Sequence, residues 1–266
     1  MPEGTNRPRE AEGEALQRVV ELVRRLRAPG GCPWDREQTP LTIKGYLIEE
    51  AYELLEAIEQ ADPAGVKEEL GDVSFQIVFL AELYREAGAF GLADALQTSL
   101  AKMTGRHPHV FGQAEVLSSA AEVVDRWQQI KKTQEGKPLL GSVPRGLPSL
   151  LRAHRLGQRA AGVGFDFPSP EAAAAKLAEE VFELKAAMAA GDAAQMRLEL
   201  GDVLFACVNV ARLLKLSAED ALKDSLDKFT ARFERIEKEL AAQGKTPREA
   251  TLAEMDAIWD EMRKAE

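Results

Sequence analysis

The sequence contains little cysteine and no long apolar run, and these shortages exclude several classes of protein. Its two cysteines, Cys32 and Cys207, lie far apart and form no Cys-x-x-Cys pair, which argues against a disulfide framework and suits a reducing compartment. No run approaches the roughly 18 apolar residues of a membrane helix, and the N-terminus lacks the apolar segment of a secretory signal. We therefore expect a cytoplasmic protein that does not enter a membrane.

The chain also lacks an excess of basic residues. Its 34 Lys and Arg against 44 Asp and Glu give a formal net charge of -10. A protein that binds duplex DNA needs a basic surface along the phosphate backbone, so we expect no duplex nucleic acid as a partner. A small phosphate ligand is compatible with this charge, because a bound metal ion can reverse the local electrostatics.

Aromatic residues are few, while Ala, Leu and Glu are plentiful, and this mixture favours helices. No segment shows the sustained apolar and polar alternation that is typical of strands, so we predict an all-α fold. In the first half, the predicted helices cover residues 14–27, 41–60, 64–87, 92–104 and 119–133. Residues 32–35 are predicted to form a loop.

One acidic module occurs twice in the chain. Residues 48–72 and 178–202 align without a gap at an offset of 130 residues, and their acids coincide. The matching pairs are Glu49 with Glu179, Glu50 with Glu180, Glu53 with Glu183, Glu69 with Glu199, and Asp72 with Asp202. Looser matches pair Lys102 with Lys228, Arg106 with Arg232, and Trp127 with Trp259. A duplicated helical domain is the simplest explanation.

Residues 134–149 are dense in Gly and Pro and separate the two copies. The predicted organisation is therefore a disordered tail over residues 1–13, an N-terminal domain over 14–135, a linker over 136–148, and a C-terminal domain over 149–266.

Each copy places four carboxylates where two helices can bring them together. Glu180 and Glu183 lie three residues apart on one helix, and Glu199 and Asp202 have the same spacing on the next. A short turn at Gly191 makes these helices antiparallel neighbours. Ligation by carboxylates alone selects hard cations such as Mg²⁺ or Mn²⁺. The corresponding candidates in the first copy are Glu50, Glu53, Glu69 and Asp72.

Solvated, Glu-rich helix faces are the alternative to a metal site. The local sequence favours the metal site, because Asp72 and Asp202 each stand at the start of a strongly apolar helical run. We therefore expect both carboxylates to be buried. A buried carboxylate is costly unless a cation or a proton compensates its charge.

The repeated acidic motif resembles that of the all-α nucleoside triphosphate pyrophosphohydrolases. Three further motifs make the resemblance to full-length MazG proteins specific: Gly-Cys-Pro-Trp-Asp at residues 31–35, Arg-His-Pro-His-Val-Phe at 106–111, and Val-Gly-Phe-Asp at 163–166. The resemblance covers residues 16–264. It implies tandem four-helix-type MazG-like domains, a homodimer, and metal-dependent hydrolysis of nucleoside triphosphates, of broad or housecleaning specificity, to monophosphate and pyrophosphate.

The resemblance also implies roles for individual residues. The metal ion is expected on Glu180, Glu183, Glu199 and Asp202, while Glu179 orients or deprotonates the attacking water. Lys228 and Arg232 are candidates to hold the pyrophosphate end, and Trp259 to stack on the base.

The two copies differ where a triphosphate needs help. Lys176 lies one turn before Glu180, and its counterpart is Tyr46; Asn209 lies two turns after Asp202, and its counterpart is Phe79. A lysine supplies a positive charge for phosphate, and a buried asparagine supplies donors and an acceptor for sugar or base. Lys176 could instead be a solvated partner of the adjacent glutamates. We predict that the C-terminal copy carries most of the catalysis.

Two other functions fit the same motifs. One is a narrow-substrate enzyme of the same fold, such as a dUTPase, which the tandem arrangement disfavours. The other is a non-catalytic helical regulator that binds a metal ion or a nucleotide without turnover.

Overall fold

The computed structural model describes residues 9–112, Glu122 and residues 138–265, and all regular structure in these ranges is helical. The prediction of an all-α fold is therefore confirmed. The chain divides into two compact units, residues 1–120 and residues 121–266. None of the described helices is long and apolar enough to cross a membrane.

The first unit contains six described helices and the second contains five. Those of the first unit are α1 (Arg9–Arg27), α2 (Pro33–Glu37), α3 (Pro40–Glu59), α4 (Pro63–Glu86), α5 (Leu92–Arg106) and α6 (Pro108–Phe111). Those of the second are α7 (Ser149–Ala161), α8 (Pro170–Ala190), α9 (Ala193–Leu213), α10 (Ala218–Ala242) and α11 (Leu252–Ala265). Helices α3 and α4 pack along each other, as do α8 and α9, while α1 lies on α4 and α7 lies on α9.

Most predicted helix bounds agree with the structure, and two differ. Helix α1 begins at Arg9, inside the segment that was expected to be a tail, and residues 1–8 lie outside the described part. Residues 33–37 form the short helix α2 instead of the predicted loop, because Pro33 presets a helical φ at the first position. Except for Glu122, the predicted helix over residues 119–133 lies outside the described residues, as do Trp127 and the proposed domain boundary at residue 135.

The same capping residues begin the central helices of both units. Thr39 and Ser169 each accept a hydrogen bond from the backbone N–H three residues on, at 3.3 Å, and a proline follows each of them. Asp62 and Asp192 cap the next helices, accepting from Ala64 and Ala194 at 3.0 Å. Each cap satisfies a backbone donor and is worth about 1 kcal/mol. The duplication therefore preserves the start of each helix that carries the acids.

The two acidic helix pairs differ in the size of their largest buried apolar side chains. The first unit has a cluster of bulky buried residues, in which α1, α3 and α4 meet: Val23, Ile43, Val78, Phe79 and Leu83. In the second unit the buried apolar residues of α8 and α9 are small: Ala173, Ala187, Ala206 and Val208. Small side chains allow closer approach of the helices, so the two helix pairs keep one topology with different packing.

Candidate active site

In each unit the long helix pair brings three carboxylates together. We call Glu180 from α8 with Glu199 and Asp202 from α9 the second-unit triad; one oxygen from each lies within 4.8 Å of the others. The first-unit triad meets the same criterion and consists of Glu50, Glu69 and Asp72. Six of the eight carboxylates predicted to bind metal therefore converge as two groups.

The remaining two candidates, Glu53 and Glu183, are exposed and lie beside the triads, outside these groups. Partial loss of hydration raises the pKa of Glu183, and the nearby charges of Glu180 and Glu199 raise it further. Glu53 in turn helps to raise the pKa of Glu50 in the first unit. Each residue thus lies about one helical turn from a glutamate of its triad, close enough for their charges to interact.

The expectation that Asp72 and Asp202 are buried is wrong, because both are exposed. Their helices are apolar on several faces, but one side of each helix pair stays uncovered within its unit. Leu198 and Leu204, for example, are 60% and 50% exposed beside Asp202. The buried members of the second-unit triad are instead Glu180 and Glu199, at 7% and 8% exposure. The cost of burying a carboxylate therefore falls on these two glutamates.

The first-unit triad has little positive charge around it. Burial raises the pKa of Glu50, and the charges of Asp72 and Glu53 add to this effect, while a 3.5 Å hydrogen bond from Gln76 opposes it. Burial and the neighbouring acids also raise the pKa of Glu69. Among the described residues, its Oε2 is buried without a hydrogen-bond partner. This triad is therefore electrostatically unfavourable unless it binds a proton or a cation.

The second-unit triad has a positive charge in contact with it. The Lys176 ammonium lies 2.8 Å from Oε1 of Glu180 and 2.7 Å from Oε1 of Glu179, and these carboxylates raise the pKa of the lysine. Gln195 donates a hydrogen bond to Glu199. In the first unit the place of Lys176 is taken by Tyr46, whose ring packs edge-on against Trp34 at 5.7 Å. The predicted difference between the copies thus includes a difference in local charge.

Asn209 is buried, and its amide is paired within the protein. Its Nδ2 donates to the backbone oxygen of Phe205 at 3.2 Å, and its Oδ1 accepts from Arg212 at 3.1 and 3.3 Å. Arg212 also forms an ion pair with Asp166, which lowers the pKa of that carboxyl. Sequence reasoning did not single out Arg212. The available signal was an arginine in the last turn of a largely apolar helix.

The candidates for nucleotide binding on α10 and α11 form a separate group. The Arg232 guanidinium lies over the Trp259 ring, 5.1 Å from its centroid, and Phe229 packs against the same ring at 5.6 Å. Lys228 lies exposed one turn earlier on α10. The structure therefore joins Arg232 and Trp259, which the sequence had placed in one binding site, on a different helix pair from the triads.

Two acidic helix pairs of the same construction define a class of tandem all-α proteins, and comparison with known sequences identifies the family. The family model described as the MazG nucleotide pyrophosphohydrolase domain matches residues 38–111 and 168–236. Each matched segment contains one triad. The chain belongs to the MazG nucleotide pyrophosphohydrolase family, which confirms the resemblance seen in its motifs.

Similar proteins extend the match over almost the whole chain. The nucleoside triphosphate pyrophosphohydrolase/pyrophosphatase MazG of Thermotoga maritima is 38% identical over 254 residues, covering 94% of this chain and 96% of that protein. The nucleoside triphosphate pyrophosphohydrolase of Escherichia coli K12 is 39% identical over 258 residues, covering 94% and 98%. A crystal structure of a MazG-related protein from Thermotoga maritima is 28% identical, with a TM-score of 0.39, and covers 44% of this chain and 98% of that one.

Proposed function

We propose that the protein hydrolyses nucleoside triphosphates to nucleoside monophosphate and pyrophosphate at the second-unit triad, with a divalent metal ion. Family membership supports the pyrophosphohydrolase class, since the two full-length relatives carry that activity in their names. The observation that supports catalysis in the second unit is the contact of Lys176 with Glu180, because the uncharged Tyr46 stands at the matching position of the first unit.

The second-unit triad has the donor set of a hard cation. Carboxylate oxygens suit Mg²⁺ and Mn²⁺, and Mg²⁺ keeps several waters and substrate phosphates in its shell, so three or four protein ligands suffice. Glu180, Glu199 and Asp202 would hold the ion, and Glu183 is placed to add a fourth carboxylate. A bound divalent ion supplies charge neutralisation to the phosphates and polarises water.

The remaining residues position the reactants and move the proton. In the proposed reaction, water attacks the α-phosphorus and the bond to the bridging oxygen breaks, so that pyrophosphate leaves. Glu179 accepts the proton of the attacking water; its side chain is 56% exposed and is held by Lys176. Lys176 also limits repulsion between the glutamates and the incoming phosphates. This chemistry depends mainly on positioning and charge, as is usual for phosphoryl transfer.

Broad base specificity follows from the chemistry of the nucleotide-binding candidates. Trp259 offers a ring face, and stacking on an aromatic ring tolerates any base. Lys228 and Arg232 are suited to phosphate oxygens, which all nucleoside triphosphates share. Asn209 is the sequence-based candidate for sugar or base contacts, but its amide is hydrogen-bonded to Phe205 and Arg212 within the protein. We therefore propose a housecleaning activity towards many nucleotides.

Assembly and surroundings are proposed on similar grounds. Phe182 and Leu198 are 72% and 60% exposed on the acidic helix pair, and burial of such side chains against a second copy favours a homodimer. The cysteines are unpaired, which suits a reducing cytoplasm. The acidic net charge of -10 disfavours duplex nucleic acid as a partner.

The decisive experiment is a substrate panel with product identification. The protein is incubated with each ribo- and deoxyribonucleoside triphosphate and Mg²⁺, and monophosphate, pyrophosphate and orthophosphate are resolved. We expect pyrophosphate from several bases and none after chelation of the metal or in Asp202→Asn. Turnover of dUTP alone would indicate the narrow-substrate enzyme. Orthophosphate as the first product would contradict the proposed cleavage, and no product with any metal would indicate a regulator.

A further inference from the structure

Arg212 connects α9 to the segment between α7 and α8 through one guanidinium group. It pairs with Asp166 in the segment between α7 and α8, with one of its N–H groups 3.0 Å from Oδ2. Two further donations reach Oδ1 of Asn209 on its own helix. The Arg212 side chain is 9% exposed and that of Asp166 is 27% exposed, so the guanidinium is shielded while the carboxylate is partly open to solvent. We call Asp166, Asn209 and Arg212 the Arg212 network.

Gly157 on α7 provides the space that the network occupies. A Cβ at this position would lie 2.9 Å from Nε of Arg212 and 3.0 Å from Oδ1 of Asn209. The first distance is shorter than real Cβ contacts, and the second is at their lower limit. Glycine inside a helix is otherwise disfavoured relative to alanine. Glycine at this position therefore lowers the helix propensity of α7 but leaves room for the Arg212 guanidinium and the Asn209 amide.

The network connects the two helices that form the triad. Asp166 lies four residues before the start of α8 at Pro170, and Arg212 lies in the last turn of α9. The pair thus joins the beginning of one helix to the end of its antiparallel neighbour. Because a helix advances about 1.5 Å per residue, a slide by one turn moves Glu180 about 5 Å along Asp202. A displacement of that size exceeds the spacing that brings the triad oxygens together.

The first unit makes a corresponding connection with a different arginine. Arg27, from α1, lies over the ring of Phe79, the counterpart of Asn209, at 5.4 Å. It pairs with Glu86 at 2.7 Å and donates to the backbone oxygen of Asp35, which ends the Trp-Asp pair that loosely matches Phe165 and Asp166. Both units therefore use a buried guanidinium to hold the segment before the acidic helix pair, although it comes from different helices. This recurrence indicates a positioning role rather than a contact with substrate.

We propose that Arg212 is a positioning residue of the metal centre: by holding Asp166 and Asn209 it fixes the register of α8 against α9, and hence the distance between Glu180 and Asp202. The inference rests on the proposed function for its catalytic consequence. Outer residues that orient metal ligands typically change metal affinity or activity by 10–100-fold when they are mutated. The register itself is a property of the protein without substrate.

The test compares Arg212→Ala, Arg212→Lys and the matched first-unit variant Arg27→Ala. Mn²⁺ binding is measured directly by electron paramagnetic resonance, and the Mg²⁺ concentration for half-maximal pyrophosphate release is measured at a temperature well below every melting point. We expect Arg212→Ala to weaken Mn²⁺ binding to the second-unit site by roughly tenfold, with the Mg²⁺ requirement rising in parallel. Arg212→Lys keeps the charge and should recover part of the loss. Arg27→Ala should lower the melting temperature and leave both Mn²⁺ binding to the second-unit site and the Mg²⁺ requirement for pyrophosphate release unchanged.

A second arm removes no interacting group. Gly157→Ala should weaken Mn²⁺ binding in the wild-type background, because the added methyl displaces the network. In the Arg212→Ala background the same change should raise the melting temperature, since only the better helix propensity of alanine remains. If Gly157→Ala changed Mn²⁺ binding and the melting temperature equally in the two backgrounds, the proposal would be overturned. Unchanged Mn²⁺ binding in Arg212→Ala would overturn it as well. If Mn²⁺ binding weakens in Arg212→Ala as expected but the wild type releases no pyrophosphate, only the proposed function is contradicted.

Discussion

The two units of this chain share the geometry of an acidic triad and differ in how its charge is compensated. Glu50 and Glu69 of the first unit have a raised pKa, and Glu69 retains a buried oxygen without a partner among the described residues. In the second unit the ammonium of Lys176 contacts Glu180 directly. Duplication has therefore preserved the helix starts and the convergence of the acids more faithfully than the charge around them.

The residues that bring the acids together differ from those that turnover requires. A helix pair that brings carboxylates together offers ligands for a cation, but turnover also requires the phosphates to be held and the nucleophile to be oriented. Lys176 and Glu179 supply these functions in the proposed mechanism. Their counterparts are Tyr46 and Glu49, so the first unit retains the acid and lacks the lysine. Matched substitutions in the two units test this difference.

The largest expected effect is on activity. Glu180→Gln removes one charged ligand of the second-unit triad and should lower kcat/KM for pyrophosphate release by more than about 100-fold, beyond the usual effect of residues that merely orient a ligand. The matched change Glu50→Gln should leave kcat/KM within about threefold, because catalysis is assigned to the other unit. Steady-state kinetics at saturating Mg²⁺ measures both values. Similar losses in the two variants would end the assignment of catalysis to the second unit.

A smaller effect concerns stability as a function of pH in the absence of metal. The folded pKa values of Glu50 and Glu69 lie above their ordinary value of 4.5. Their contribution to stability is therefore fully present below that value and is lost as pH rises through the raised values. Melting temperatures measured above pH 4.5 should fall less steeply with pH in the double variant Glu50→Gln and Glu69→Gln than in the wild type.

Mg²⁺ provides the control for this pH dependence. A bound cation replaces the proton between the carboxylates, so saturating Mg²⁺ should raise the melting temperature more at pH 8 than at pH 5. The double variant should show a smaller increase, which then reflects the second-unit site alone. An identical increase in the two proteins would exclude metal binding by the first-unit triad.

The smallest expected effect concerns the turn between the acidic helices. Ala61 has a φ of 52° where Gly191 has a φ of 69° in the second unit. Only glycine adopts this left-handed conformation without strain, so Ala61→Gly should stabilise the protein by about 0.5–1 kcal/mol, and Gly191→Ala should destabilise it by about 1 kcal/mol. Thermal or urea unfolding measures both changes. Shifts of the same sign would show that the two turns are not equivalent.

Much of the fold could be predicted from local sequence. The helices α3 and α4 lie within one residue of their predicted bounds, because Thr39 and Asp62 are strong N-caps followed by proline. The gapless repeat located both triads, since spacings of three residues place acids on one helix face. The short helix α2 was missed because a single helical turn has no periodicity to detect.

The parts of the site that escaped prediction depend on contacts between distant residues. Helix periodicity cannot show which neighbour covers a face, so the exposure of Asp72 and Asp202 was not foreseen. Arg212 in the last turn of a helix resembles an ordinary basic residue near a C-terminus. Its partner Asp166 is 46 residues away in the sequence, and the packing of α7 and α8 on α9 brings the pair together.

The missing side chain at Gly157 also constrains how related sequences can vary. Gly157 and Arg212 compete for one volume, so a larger residue at position 157 displaces the Arg212 network unless position 212 loses its guanidinium. The first unit shows both changes at the offset of 130 residues: the large Arg27 stands at the position that matches Gly157, and Glu82 stands at the position that matches Arg212. Positions 157 and 212 should therefore change together among homologous chains, and a protein carrying bulky residues at both would have to separate α7 from α9.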